Sequence, residues 1–232
     1  MLQENLKNVQ SKIDAALARR SEEKITGSKV TLVAVTKNHP ADVITEALSL
    51  GVTSIGENRV QEAKAKREIT GPVGRWHLIG HLQTNKAKQA VAIFDIIESA
   101  DSLHLMQKLD EEAAKAGKVQ DILLQVNIAR EEQKTGFSPE DYAAIVPQLD
   151  NFKNLHVRGL MVIAPAADNP DDVRWVFADG YKLFCGLKKL RPDIDTLSMG
   201  MTHDYEVAIE EGANMVRIGT ALFGQRDYSL KF

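Results

Sequence analysis

The stretch ILLQV at residues 122–126 is apolar at every position but one, and LVAV at 32–35 and LMVI at 160–163 are apolar throughout. Runs without in–out alternation belong to strands covered on both faces, as in a parallel sheet overlaid by helices. Working outward, similar runs predict strands at 30–36, 52–56, 75–79, 94–98, 121–127, 156–162, 194–198 and 214–218. Longer amphipathic stretches at 41–50, 59–68, 84–92, 102–116, 139–149, 171–190 and 203–211 predict the intervening helices. An additional helix, MLQENLKNVQSKIDAALARR, occupies residues 1–20.

The punctuation fits this alternation. Pro40 stands where a helix can begin without a donor, and Asp101 and Ser138 are placed as N-caps. Gly51, Gly117 and Gly212 follow helix ends, where a left-handed residue is needed. Eight β–α repeats predict a (β/α)8 barrel of the TIM type, whose usual size is ~250 residues. An open doubly wound sheet would alternate in the same way and is the competing architecture. No Pro/Gly/Ser-rich linker divides the chain, so residues 1–232 read as a single domain.

Charged residues make up 26% of the chain and hydrophobic ones 44%, values that exclude a disordered polymer. The formal charge of −3 leaves no basic footprint for nucleic acid. Lys86, Lys88 and the Lys188–Lys189–Arg191 group read as solvated helix faces. Cys185 is the only cysteine, which excludes an intrachain disulfide or a cysteine zinc site and leaves a packed thiol. The N-terminus lacks the apolar core of a signal peptide, and no apolar run approaches the ~20 residues of a membrane helix. A cytoplasmic protein is expected.

In a barrel, chemistry gathers where strands end, and phosphate binding favours the loops after strands seven and eight. The predicted strand ends carry Lys37, Glu57–Asn58, Gly80–His81, Ser99, Asn127, Met161–Ala164, Ser198–Thr202 and Arg217–Thr220. Lys37 ends the run TLVAVTK on the first strand, which lies beside the eighth once the barrel closes. Most lysines just past a strand are merely solvated. A desolvated, cation-flanked amine loses its proton more easily, however, and the neutral amine attacks aldehydes. Arg217 could be that cation, or it could sit in a structural ion pair. At Gly219 and Thr220, and again at Ser198 and Thr202, small residues and hydroxyls stand at helix starts, where free N–H groups attract anions. Each could equally be an ordinary cap. An amine on strand one and two anion cradles after the last strands have the layout of a pyridoxal-phosphate site. His77 and His81 do not make a metal pair, because Gly80 lies between them at a strand end. There is no nucleophile elbow, Walker loop or dinucleotide fingerprint.

Six blocks then carry a resemblance: VAVTKNHP (33–40), SIGENRVQEAKAK (54–66), WHLIGHLQTNK (76–86), RGLMVIAP (158–165), LSMGMTHDYEVAI (197–209) and MVRIGTALFG (215–224). Together and in order they resemble the YggS-type pyridoxal-phosphate homeostasis proteins. The resemblance implies one barrel related to the N-terminal domain of alanine racemase, with pyridoxal 5′-phosphate as cofactor. It makes Lys37 the Schiff-base lysine and sets Arg217 against the pyridine nitrogen. Thr202, Gly219 and Thr220 would hold the phosphate with Ser198 close by, and Asn58 would run along the cofactor's edge. Arg59 receives no role.

An arginine does not surrender its proton, so the ring nitrogen would stay unprotonated and carbanion chemistry would be modest. The chain ends at Phe232, leaving no length for the second domain that completes racemase sites. The implied function is buffering and delivery of the cofactor, with influence on amino-acid and keto-acid pools and little turnover. PLP-dependent apoenzymes would be recipients, and a monomer is expected. A racemase-like enzyme, with Tyr205 or His203 as the acid–base partner, is one alternative, and a regulatory scaffold is another.

Overall fold

The structure, a computed structural model, describes residues 1–225. The last seven residues of the single domain expected over 1–232 lie outside the described part. Helix α1 (Leu2–Arg19) precedes β1 (Thr31–Val35), α2 (Asp42–Ser49), β2 (Ser54–Glu57) and α3 (Val60–Thr70). Next come β3 (Arg75–Leu78), α4 (Ala87–Ile93), β4 (Ile96–Ala100), α5 (Leu103–Lys115) and β5 (Gln120–Val126). The chain continues through α6 (Pro139–Ile145), β6 (Leu155–Val162), α7 (Arg174–Leu190) and β7 (Thr196–Met199). It closes with α8 (Tyr205–Glu210), β8 (Met215–Ile218) and the short α9 (Thr220–Phe223).

The eight strands form a closed, all-parallel barrel in chain order, with β8 returning to β1. This is the expected (β/α)8 barrel with an N-terminal helix, and the open sheet is excluded. In the closing seam Val33 registers with Arg217 and Ala34 with Ile218. Partners in register share a face, so Val33 and Arg217 both face the lumen. The main apolar core lies between strands and helices, while Ile96, Leu123 and Met161 form a separate cluster within the barrel. Helix α1 packs on α8 and α9. There Asn5 Nδ2 donates to Leu222 O at 2.8 Å, and Arg19 pairs with Glu206 and Glu210 at 3.2 and 2.6 Å.

Three strands begin two residues later than their apolar runs. Val52, Phe94 and Ile194 are buried, but each backbone N–H turns back to the preceding segment, to Ala47 O, Ala90 O and Arg191 O. They plug the joint between helix and strand rather than joining the ladder. Two expected caps also move. Ser102, not Asp101, caps α5, with its hydroxyl accepting from the Leu105 N–H at 3.3 Å, while Asp101 lies 2.8 Å from His81 Nδ1. The helix expected from His203 starts at Tyr205, so Thr202 sits in the turn before it. Ser138 caps α6 as expected, and Gly51, Gly117 and Gly212 take φ of 92°, 64° and 113° behind α2, α5 and α8. Cys185 is a half-buried free thiol packed against the core.

Candidate functional site

The C-terminal ends of β1 and β2 bring Lys37 and Asn58 to the same rim, both half-buried. Lys37 lies in the turn two residues beyond Val35, the last residue of β1, and so stands at the C-terminal rim of the barrel. Beneath it lies a buried charged cluster that the sequence reading did not single out. Lys66 Nζ, with no solvent exposure, donates to Thr36 O at 2.6 Å, Glu57 Oε1 at 2.7 Å and Glu62 Oε1 at 2.8 Å. The Thr36 hydroxyl also donates to Glu57 Oε1, at 2.6 Å, and the Asn38 N–H donates to Glu62 Oε1, again at 2.6 Å. Burial pushes the Glu57 carboxyl up to about 7 despite the adjacent Lys66 ammonium. The available signal was Glu62 and Lys66, four apart within one helix of the block SIGENRVQEAKAK.

A second polar chain crosses the lumen. His77 Nδ1 on β3 lies 2.7 Å from Glu98 Oε1 on β4, and the Ser198 hydroxyl on β7 donates to Glu98 Oε2 at 2.5 Å. From β8, Arg217 Nη1 donates to Ser198 Oγ at 2.6 Å and Nη2 donates to Val162 O at 2.9 Å, with Glu98 3.8 Å away. All four side chains are buried. Burial alone would raise the Glu98 carboxyl, but the hydrogen bond and charge of His77, then Arg217 and Ser198, hold it below the usual carboxylate range. Arg217 therefore does occupy the structural ion pair weighed against its cofactor role. His77 and Glu98 complete a lumen network that sequence spacing does not reveal, since their partners come from four strands. Histidines 77 and 81 each face a carboxylate, and among the described residues no cluster of three or more metal-ligating groups occurs.

The turns after β7 and β8 form the opposite rim. Arg217 N–H donates to Gly200 O at 3.0 Å, tying the two strand ends together. Gly200 takes φ +96° because the chain must turn sharply there over Tyr205 and Ala208. Gly219 caps α9 so close to β1 that a Cβ would meet Val35 O at 3.1 Å. Thr220 is exposed at the first position of α9, and Thr202 is half-buried. Lys37 and the Gly219–Thr220 turn thus stand on adjacent strand ends, while Ser198 and Arg217 lie deeper in the lumen. Two concavities flank this mouth. One of about 740 Å³ is lined by Asn38, Asn58, Arg59, His81 and Lys86 among others, and one of about 420 Å³ by Lys134, Ile163, Pro165, Met201 and His203 among others.

Residues 5–227 match the family model of the alanine racemase N-terminal domain. Within it the chain is 39% identical over 98% of its length to the pyridoxal phosphate homeostasis protein of Haemophilus influenzae, spanning 97% of that protein. It is 41% identical over 85% of its length to the protein of that name from Aquifex aeolicus, spanning 87% of it. The chain belongs to the pyridoxal phosphate homeostasis protein family. PipY of Synechococcus elongatus, solved with PLP bound, superposes with a TM-score of 0.83 at 38% identity, over 97% of this chain and 100% of PipY. The cofactor of the family is PLP, and its members are named for handling that cofactor rather than for a reaction. Among the described residues no helix is long and apolar enough to cross a membrane.

Proposed function

We propose that this chain binds pyridoxal 5′-phosphate at the C-terminal mouth of its barrel and serves intracellular homeostasis of that cofactor, holding and releasing it without sustained turnover. One observation carries the reading: Lys37 and the Gly219–Thr220 turn follow adjacent strands, and a Cβ at Gly219 would press on Val35 O at 3.1 Å, so the turn lies tight against the strand that leads to the amine. The residues fit the cofactor. Lys37 provides the amine that condenses with an aldehyde, releasing water. Gly219, Thr220 and Thr202 provide amides and hydroxyls for the phosphate, and Asn58 lines the near edge. Arg217 holds a fixed positive charge on the lumen side, where the pyridine nitrogen would lie. Once bound, the cofactor would supply an electron sink, weakened by a cation that has no proton to share.

The racemase reading needs an acid–base group opposite Lys37. Tyr205 is buried within the first turn of α8, and burial pushes its hydroxyl up to about 12, further from the range a general base needs. His203 is exposed in the preceding turn. The finer reading is of one cofactor-binding domain acting as a cytoplasmic monomer, with PLP-dependent apoenzymes as recipients. The single domain, the monomer and the cytoplasmic placement rest on the sequence pattern, and the recipients on the family resemblance.

The test is an absorption spectrum of the purified protein before and after addition of PLP, followed by borohydride and peptide mass analysis. A visible band lost on reduction, with the added mass on Lys37, is the expected result; a colourless protein that refuses the aldehyde in excess defeats the reading. Solvent deuterium entering the α-carbon of an amino acid at ~1 s⁻¹ or faster would establish an enzyme instead.

A further inference from the structure

Buried ion pairs seldom stabilise a fold, because desolvation consumes most of the attraction. The pair of Lys66 with Glu62 is fully buried and sits on α3, away from the lumen, so its place in the molecule calls for a reason other than stability. Its hydrogen bonds supply one. The Thr36 carbonyl, which accepts from Lys66 Nζ at 2.6 Å, belongs to the peptide plane on the N-terminal side of Lys37. The Asn38 N–H, which donates to Glu62 Oε1 at 2.6 Å, belongs to the plane on the C-terminal side. Peptide planes are rigid, so the backbone freedom of Lys37 consists of the two dihedrals between these planes. Both planes are anchored to one ion pair, itself closed at 2.8 Å. Asn38 takes φ +57°, a left-handed conformation that asparagine tolerates better than most residues, and its N–H is bonded there to Glu62.

We propose that Glu62 and Lys66 are positioning residues for Lys37: a buried clamp on both flanking peptide planes that aims the reactive amine into the mouth of the barrel. The inference rests on Lys37 as the cofactor lysine. Glu57 completes the clamp by accepting from Thr36 Oγ1 and from Lys66, which ties the β1 end to the β2 end that carries Asn58. Neither Glu62 nor Lys66 touches the cofactor in this scheme.

The experiment compares wild type with Glu62→Ala, Glu62→Gln and the double variant Glu62→Leu/Lys66→Met. Glutamine keeps an acceptor for Asn38 N–H and for Lys66. The double variant removes both charges of that pair and leaves the Glu57 carboxyl, already raised by burial, to take up a proton, so it is expected to fold even if Glu62→Ala does not. Each protein is mixed with PLP, and visible absorbance and induced circular dichroism are recorded per bound cofactor. Loss of the clamp is expected to cut the dichroism by at least half and to slow band formation by about tenfold, as misorientation of a reacting group does. Glu62→Gln should restore both. A double variant that folds and matches wild type in dichroism and rate overturns the proposal.

A parallel measurement keeps this separate from the binding assignment itself. In cofactor-free protein, reductive methylation with formaldehyde and cyanoborohydride is followed at Lys37 and at the exposed Lys88. Wild type should methylate Lys37 at a rate distinct from Lys88, and the double variant should bring the two together. Equal rates in wild type would overturn the clamp, whether or not PLP binds.

Discussion

Arg217 Nη1 lies 2.6 Å from Ser198 Oγ, so the arginine on the last strand is fixed by the strand beside it before any ligand arrives. Ser198 passes the contact on to Glu98 at 2.5 Å, and Glu98 to His77 at 2.7 Å, making one chain of partners across the lumen. The guanidinium thus balances a buried carboxylate as well as facing the mouth. Replacing Arg217 with glutamate would set two carboxylates side by side in the buried lumen. Arg217→Glu should lose roughly 3–5 kcal/mol of stability, as when one partner of a buried pair is removed. Adding Glu98→Gln should recover much of it. Urea denaturation of the three proteins decides, and an Arg217→Glu variant as stable as wild type would mean the lumen chain carries no weight.

The Glu57 carboxyl, raised to about 7 by burial, makes stability depend on pH in an unusual direction. Its folded-state value exceeds the ordinary carboxylate value, so between about 4.5 and 7 the folded protein holds a proton that the unfolded chain has released. The contribution is therefore full in acid and is lost as pH rises through 7. Glu98 acts oppositely, since its lowered value supports the fold above the usual carboxylate range and fails only in stronger acid. Apoprotein stability measured from pH 5 to 8 should decline across that window relative to Glu57→Gln, which cannot titrate. Parallel curves for the two proteins would show that Glu57 is ionised throughout.

The barrel was legible because runs such as LVAV, ILLQV and LMVI lack alternation, a pattern that burial on both faces imposes locally, and because strand-length and amphipathic segments take turns along the chain. The rim residues were legible for the same reason: Lys37, Asn58 and Thr220 are polar interruptions at ends of apolar runs. The lumen chain was not, since His77, Glu98, Ser198 and Arg217 are separated by up to 140 residues in sequence and meet only when the barrel closes. Arg217 hinted at it, being a charge inside MVRIG, but a partner on β4 has no local signature. Strand starts were misread where Val52, Phe94 and Ile194 are buried without joining the ladder, because hydrophobicity reports burial and not pairing.

Gly159 gives a stability prediction that turns on one distance. A Cβ there would lie 1.7 Å from Thr196 O, in the backbone of the adjacent strand β7. Nothing flexible can yield, so Gly159→Ala must part β6 from β7, which register Gly159 against Thr196. A loss exceeding roughly 3 kcal/mol is expected, in the range reserved for core overpacking and broken pairing. A soluble Gly159→Ala protein with an unchanged thermal midpoint would contradict the observed register.

Lys37→Ala separates chemistry from folding. The side chain is half-buried at the rim, and the strand below it ends at Val35, so its removal opens no core cavity. Stability should change by less than about 1 kcal/mol, as for loss of ordinary polar contacts. The visible band and the borohydride-fixed mass should both vanish, while phosphate-end contacts leave weak, reversible binding detectable by equilibrium dialysis. A persistent covalent adduct in Lys37→Ala would move the reactive amine elsewhere.

The phosphate end can be tested without disturbing that amine. Thr202 lies in the turn before α8 and Thr220 is exposed at the start of α9, and no hydrogen bond within the protein involves either hydroxyl among the described contacts. Truncating them therefore removes contacts to a ligand and leaves the packing alone. Each of Thr202→Ala and Thr220→Ala should cost roughly 0.5–1.5 kcal/mol of PLP retention per lost hydrogen bond, more where the phosphate charge assists. That corresponds to about a two- to tenfold rise in the dissociation constant. Pyridoxal, which has no phosphate, should bind both variants and wild type alike. Retention of PLP by the double variant at the wild-type level would remove these turns from the site.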